Sequence, residues 1–88
     1  MSYSIRYHPN VKKYVGKLNK KDRTRIEKRI EILREDPYPT DTKFIKSKRY
    51  KNLKIFRIRC GKFRILYYVR HEKLIVVIVE IDKRERVY

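Results

Sequence analysis

Lys54, Arg57, Arg59, Arg64, Arg84 and Tyr88 are the side chains whose types and spacing could act together on a phosphodiester. Guanidinium groups grip phosphate through paired N–H donors and can hold the charge that develops on it in a transition state. A tyrosine ring can stack on a base. RNA would give such a cluster a reaction that needs no metal. Its 2′-hydroxyl can attack the adjacent phosphate when aligned in line and deprotonated. Arginines would steady the pentacoordinate phosphorane, a basic group would take the proton, and another would protonate the leaving 5′-oxygen. Alignment alone supplies much of the rate gain in such a step.

Other chemistries find no support in the sequence. Cys60 is a lone cysteine, so no internal disulfide can form, and with the distant His8 and His71 it makes no metal cluster. There is no nucleotide-binding loop and no nucleophile–base pair, and Glu80 and Asp82 sit among basic residues. His8 and His71 read as surface residues and Cys60 as a small buried group. No cofactor is called for.

The charge says more about partners. Twenty-six basic against 10 acidic residues give a net charge of +16 on 88 residues. Residues 1–40 carry 11 basic and 5 acidic side chains, a net +6, and residues 41–88 carry 15 and 5, a net +10. The stretch from Thr42 to Arg64 has no acidic residue at all. Such self-repulsion fits a chain whose partner is anionic: a phosphate backbone, an acidic protein or an anionic membrane surface. Lys48, Lys51, Arg59, Lys62, Lys83 and Arg86 are the further basic residues expected to contact nucleic acid. No stretch approaches the roughly 20 apolar residues of a membrane span, and the first residues lack an apolar signal core. The expected compartment is the cytoplasm, without membrane association.

The elements that must position this cluster follow from periodicity. The length argues for one domain over residues 1–88. Ser2 to Tyr7 reads as a short strand. Val11, Tyr14, Val15 and Leu18 make one helical stripe after Pro9 and Asn10. Asn19 can cap a second helix, with Asp22 at the third position and Ile26, Ile30 and Leu33 on its apolar face. Pro37 and Pro39 stop it. Residues 40–52 are basic and weakly patterned, with Phe44 and Ile45 as anchors.

Leu53 to Cys60 alternates cleanly, Phe56, Ile58 and Cys60 on one side and Arg57 and Arg59 on the other. Gly61-Lys62 is a two-residue turn, Phe63 to Val69 the return strand, and Leu74 to Ile81 a third strand, apolar on both sides and therefore central. The turn predicts that Cys60 faces Phe63, Ile58 faces Ile65 and Phe56 faces Tyr67. On the opposite face it sets Arg59 against Arg64 and Arg57 against Leu66. Two arginines directly opposed are tolerable with an anion between them. The predicted class is α+β: an N-terminal strand, a helical hairpin, then a three-stranded antiparallel sheet, in the order β-α-α-β-β-β.

The run Phe56-Arg57-Ile58-Arg59-Cys60-Gly61-Lys62-Phe63-Arg64-Ile65-Leu66-Tyr67 resembles the "YRIRxGxYRxxY" hairpin of the RelE/ParE superfamily of bacterial and archaeal toxins. The ending Asp82-Lys83-Arg84-Glu85-Arg86-Val87-Tyr88 resembles that family's "xxRxxVY". The helical hairpin also matches in order and size, so the resemblance covers nearly the whole chain. It implies a toxin held inactive by a cognate, RelB-like antitoxin that wraps it in an extended chain, a heterotetramer being one assembly this allows. In the RelE branch it implies entry into the ribosomal A site and cleavage of mRNA, leaving a cyclic phosphate and a 5′-hydroxyl. In the ParE branch it implies a non-enzymatic inhibitor of DNA gyrase, and a third alternative is a catalytically weakened toxin homologue that survives as a binding module.

By that resemblance Arg64 contacts the scissile phosphate, Arg84 is the second phosphate-binding arginine and Tyr88 stacks on or positions the target base. Arg57 falls where a catalytic lysine often stands, and Arg59 is the third basic residue of the strand. Lys54 is close to another expected lysine but one position out of alternation, where Ile55 is in register. Phe63 stands for a usual tyrosine and Asp82 for a common glycine or histidine.

Overall fold

The computed structural model of the chain describes residues 2–83. Strand β1 (Ser4–Tyr7) leads into helix α1 (Pro9–Lys17), which is followed by α2 (Lys20–Glu31) and one tight 3₁₀ turn (Ile32–Arg34). Three further strands of the expected hairpins follow a short extra one: β2 (Lys43–Ile45), β3 (Ile55–Cys60), β4 (Phe63–Arg70) and β5 (Ile75–Lys83). Local chemistry explains the helix starts. Pro9 opens α1, where its missing N–H costs nothing, and the His8 ring accepts from the Asn10 amide. The Asn19 side chain accepts from the Asp22 amide at 2.8 Å and caps α2.

The α+β class and element order are as expected, but the sheet is larger. It has five strands in the order β1-β5-β4-β3-β2, with β1 parallel to β5 and the other pairs antiparallel. β2 is a strand beyond the four anticipated, and the expected N-terminal strand β1 joins the sheet at its other edge. The apolar β5 is internal, between β1 and β4, as its composition demanded. Both helices pack on one face, where Val11, Val15, Ile26, Ile30 and Leu33 meet Ile58, Ile65, Tyr67, Val76 and Ile78. Burying a Leu or Ile side chain of this kind is worth about 1.5–3 kcal/mol. Among the described residues, no helix is long and apolar enough to cross a membrane.

The opposite face of the sheet carries the hairpin arginines Arg57, Arg59 and Arg64. Ile55 there is fully buried and Arg57 is only 8% exposed. The loop of residues 46–54 joins β2 to β3 and reaches across to β5. There the Arg49 guanidinium and the Tyr50 hydroxyl both donate to Glu80 Oε1 at 3.0 Å. We call this loop the strap.

Candidate nucleic-acid interface

The β3–β4 hairpin has the register that a two-residue turn dictates. Cys60 pairs with Phe63, Arg59 with Arg64, Ile58 with Ile65, Arg57 with Leu66 and Phe56 with Tyr67. Gly61, the first turn residue, has a φ of +59°, which glycine adopts without strain. Arg59 and Arg64 therefore stand side by side on the face away from the helices, with Arg57 one row behind and Lys43 of β2 beside Arg57.

β5 adds acid to this row. Pairing runs Arg64 to Asp82 and Leu66 to Glu80, then slips so that Tyr67 meets Ile78 and Val79 is left as an extra residue. Such a bulge reverses the phase of the strand. Without it Ile78 and Glu80 would share a face, and the acids would point into the core. With it, Glu80 and Asp82 point to the arginine face while Ile78 and Ile81 stay buried. Asp82 Oδ2 accepts from Arg64 Nη2 at 3.3 Å. Both side chains are substantially exposed, so the pair is worth only a few tenths to about 1 kcal/mol. The Nε of Arg64 is buried and has no hydrogen-bond partner among the described residues. An external anion would therefore meet the partly exposed terminal nitrogens of the guanidinium rather than its Nε.

Helix α2 braces the turn end of this row. Arg29 Nε donates to the Arg59 carbonyl at 2.9 Å, and the same guanidinium is paired with Asp41. That contact holds the Asp41 carboxyl below its usual range. The Arg25 guanidinium lies against Gly61 so closely that a Cβ there would meet it at 3.0 Å.

The remaining predicted residues separate into groups. Arg57, Arg59 and Arg64 share the outer face. Lys48 and Lys51 are exposed on the strap that borders it. Lys62 sits in the turn and leans toward α2, with its Nζ 3.9 Å from Asp22 and over the Phe63 ring. Lys83 pairs with Phe63 and has the helix-side phase, not that of Arg64. The structure does not bring Lys54 to the row. It precedes β3, five residues from Arg59, about 16 Å at the rise of a strand, and the β3–β4 pairing runs without a register shift. Arg84, Arg86 and Tyr88 lie outside the described residues.

Sequence reasoning missed Asp82 as the partner of Arg64, and Glu80 with Arg49 and Tyr50 as the strap's fastening. The only signal was the pair of acids two apart in an otherwise apolar strand. His71, read as a surface residue, is exposed and bonded on both ring nitrogens, to the Tyr3 hydroxyl at 3.0 Å and the Tyr38 hydroxyl at 2.8 Å. Cys60 is half-buried against the core, and burial pushes its thiol up, away from nucleophilic use.

Known proteins resemble this chain along its full length. The family model for the ParE toxin of the type II toxin–antitoxin system parDE matches residues 5–88. The Putative toxin RelE1 of Methanocaldococcus jannaschii is 30% identical over 88 residues, which are 100% of this chain and 97% of that protein. The archaeal RelE–RelB complex from Pyrococcus horikoshii contains a chain that superposes with a TM-score of 0.82 at 26% identity, covering 99% of this chain and 100% of that one. The isolated RelE toxin of Escherichia coli has the same fold, with a TM-score of 0.76 at 22% identity over 98% of this chain and 88% of that one.

Proposed function

The chain belongs to the RelE/ParE superfamily of type II toxin–antitoxin toxins, and from that premise we propose that it is a ribosome-dependent mRNA endonuclease neutralised by a RelB-like antitoxin. The observation that carries this reading is the Arg59–Arg64 pair, set directly opposite across the hairpin on a chain of net charge +16. Two like charges so placed are destabilising unless an anion lies between them. A phosphodiester held there would have its non-bridging oxygens on the partly exposed terminal nitrogens of Arg64.

The nucleophile is the RNA's own 2′-oxygen. It forms a bond to phosphorus as the P–O5′ bond breaks, giving a 2′,3′-cyclic phosphate and a 5′-hydroxyl. One proton leaves the 2′-oxygen and one reaches the 5′-oxygen. Arg57 stiffens the field behind the row, and Arg84 and Tyr88 complete the phosphate and base contacts by their match to the family's ending. The A site supplies the in-line geometry that the small protein does not build alone. The antitoxin partner is supported by the toxin–antitoxin complexes among the structural relatives.

The test is translation of a defined message on purified ribosomes, followed by mapping of the 3′ ends. Cleavage within codons is expected, falling by about 100-fold in Arg64→Ala and in Arg84→Ala, the scale for loss of one transition-state donor. Cleavage that persists unchanged in both variants would overturn the assignment. One observation favours a second reading: the family model that matches is the ParE one. Inhibition of gyrase supercoiling with no message cleavage selects that reading.

A further inference from the structure

On the side away from β4, β5 is paired with β1 only as far as Ile78, where the His8 amide donates to the Ile78 carbonyl. Beyond it, among the described residues, no strand pairs with Val79–Lys83 on that side. A cleft of about 520 Å³ opens at this free edge. Its walls are α1 on one face of the sheet and the strap on the other, and it is lined by His8, Asn10, Tyr14, Arg49, Tyr50 and Glu80. That volume is in the range of small-ligand sites.

The cleft adjoins the arginine row. Glu80 is two residues from Asp82 on the same face, about 7 Å along the strand. Tyr14 lies close enough to Asp82 that the carboxylate adds to burial in pushing its phenol up. A strand whose phosphate sits on Arg64 would pass its neighbouring nucleotide to this opening.

We propose that the cleft between α1, the free edge of β5 and the strap is a nucleobase subsite, with Tyr50 as stacking platform and Glu80 as the acceptor that reads the base edge. The proposal rests on the RNA-cleaving reading above for the nature of the ligand. Tyr50 offers a ring on a basic loop, a pairing suited to single-stranded nucleic acid. Its hydroxyl and Arg49 together fix Glu80, so the carboxylate is oriented before any ligand arrives. An ionised carboxylate has about four acceptor sites, so two donors leave room for a base amino group. Carboxylates read such amino groups in nucleic-acid complexes. Adenine, cytosine and guanine carry an exocyclic amino group and uracil does not, so the subsite should disfavour uracil.

The experiment uses the ¹⁵N-labelled full chain and 2′-O-methyl RNA trinucleotides, which cannot be cleaved, with A, C, G or U in the middle. Amide shifts should concentrate at residues 8–14, 49–50 and 79–81. Uracil should bind about fivefold more weakly, the worth of one net hydrogen bond. Tyr50→Leu should weaken all four by about tenfold through lost stacking, while Tyr50→Phe keeps the ring and removes only the hydroxyl's hold on Glu80, so it should retain most of the affinity and lose part of the discrimination against uracil. Glu80→Gln should erase the discrimination against uracil. Spectra without RNA establish that each variant is folded. Shifts confined to other regions, or Tyr50→Leu binding as wild type, would overturn the proposal. Ribosomal cleavage run in parallel separates the two ideas. Cleavage without binding at the cleft sinks the subsite alone, and cleft binding without cleavage supports the subsite and sinks the nuclease.

Discussion

Asp82 is the residue that most directly sets how available Arg64 is. Its carboxylate occupies one edge of the guanidinium, where a phosphate oxygen would otherwise sit. Replacing it with asparagine keeps the shape and removes the competing charge. Asp82→Asn should therefore bind RNA about threefold more tightly, within the range of an exposed ion pair, as read by fluorescence anisotropy. Unchanged or weaker binding would mean that Asp82 positions Arg64 more than it competes for it. Tyr67 carries a different burden. It is fully buried, and its hydroxyl donates to the Pro37 carbonyl at 2.6 Å, tying the loop after α2 to the sheet. Burial pushes its phenol up to about 12, against about 10 in an unfolded chain. The unfolded state therefore loses its proton first, and stability falls as pH rises through that window. Tyr67→Phe should cost about 1–2 kcal/mol at neutral pH by stranding the carbonyl. Its stability should then decline less steeply than wild type between about pH 10 and 12, the span between those two ionisations. Denaturant melts across that range measure both effects.

At the scale of the elements, the β3–β4 turn controls the site, because its length decides which side chains share a face. Gly61→Ala tests this. The new Cβ would sit at a φ of +59° and 3.0 Å from the Arg25 guanidinium. A cost of about 1–2 kcal/mol is expected from the backbone alone. RNA affinity should fall with it if the turn shifts and Arg59 and Arg64 part. A variant equally stable to urea would show that the turn relaxes freely. The pairing of these arginines was legible in the sequence because a two-residue turn between alternating strands leaves one register. So were the caps at Asn19 and Pro9 and the helical faces through Val11 and Ile26, all set by neighbours a few positions away. What escaped was non-local or unmarked. β2 is three residues in a basic stretch, and it becomes a strand only because β3 offers an edge. The strap docks on Glu80, about thirty residues distant. The bulge at Val79 contains no glycine, and a strand apolar on both faces reads the same in either phase. That silent change of phase is why Glu80 and Asp82 were seen as stray acids rather than as neighbours of Arg64.

At the scale of the whole molecule, charge decides behaviour. A net +16 is packed into a chain with a radius of gyration of 12.6 Å, so most charges lie within about a Debye length or two of one another at physiological salt. Few carboxylates oppose them on the sheet face, where Glu80 and Asp82 are already engaged. The free chain must therefore repel itself, and an acidic antitoxin would relieve that strain as well as cover the site. Two salt dependences of opposite sign follow. Raising salt from 50 to 500 mM screens the self-repulsion, so the melting temperature of the isolated chain should rise by a few degrees, about what 1 kcal/mol yields for a domain this size. The same salt weakens attraction between unlike surfaces, so antitoxin affinity should fall by about tenfold or more, chiefly through slower association. Scanning calorimetry of the free chain and titration of the complex over one salt series measure the pair. An affinity indifferent to salt would mean that apolar contacts hold the antitoxin. A free chain that melts earlier in high salt would mean that its charges are stabilising as arranged, and both results together would remove electrostatics as the means by which an antitoxin stabilises it.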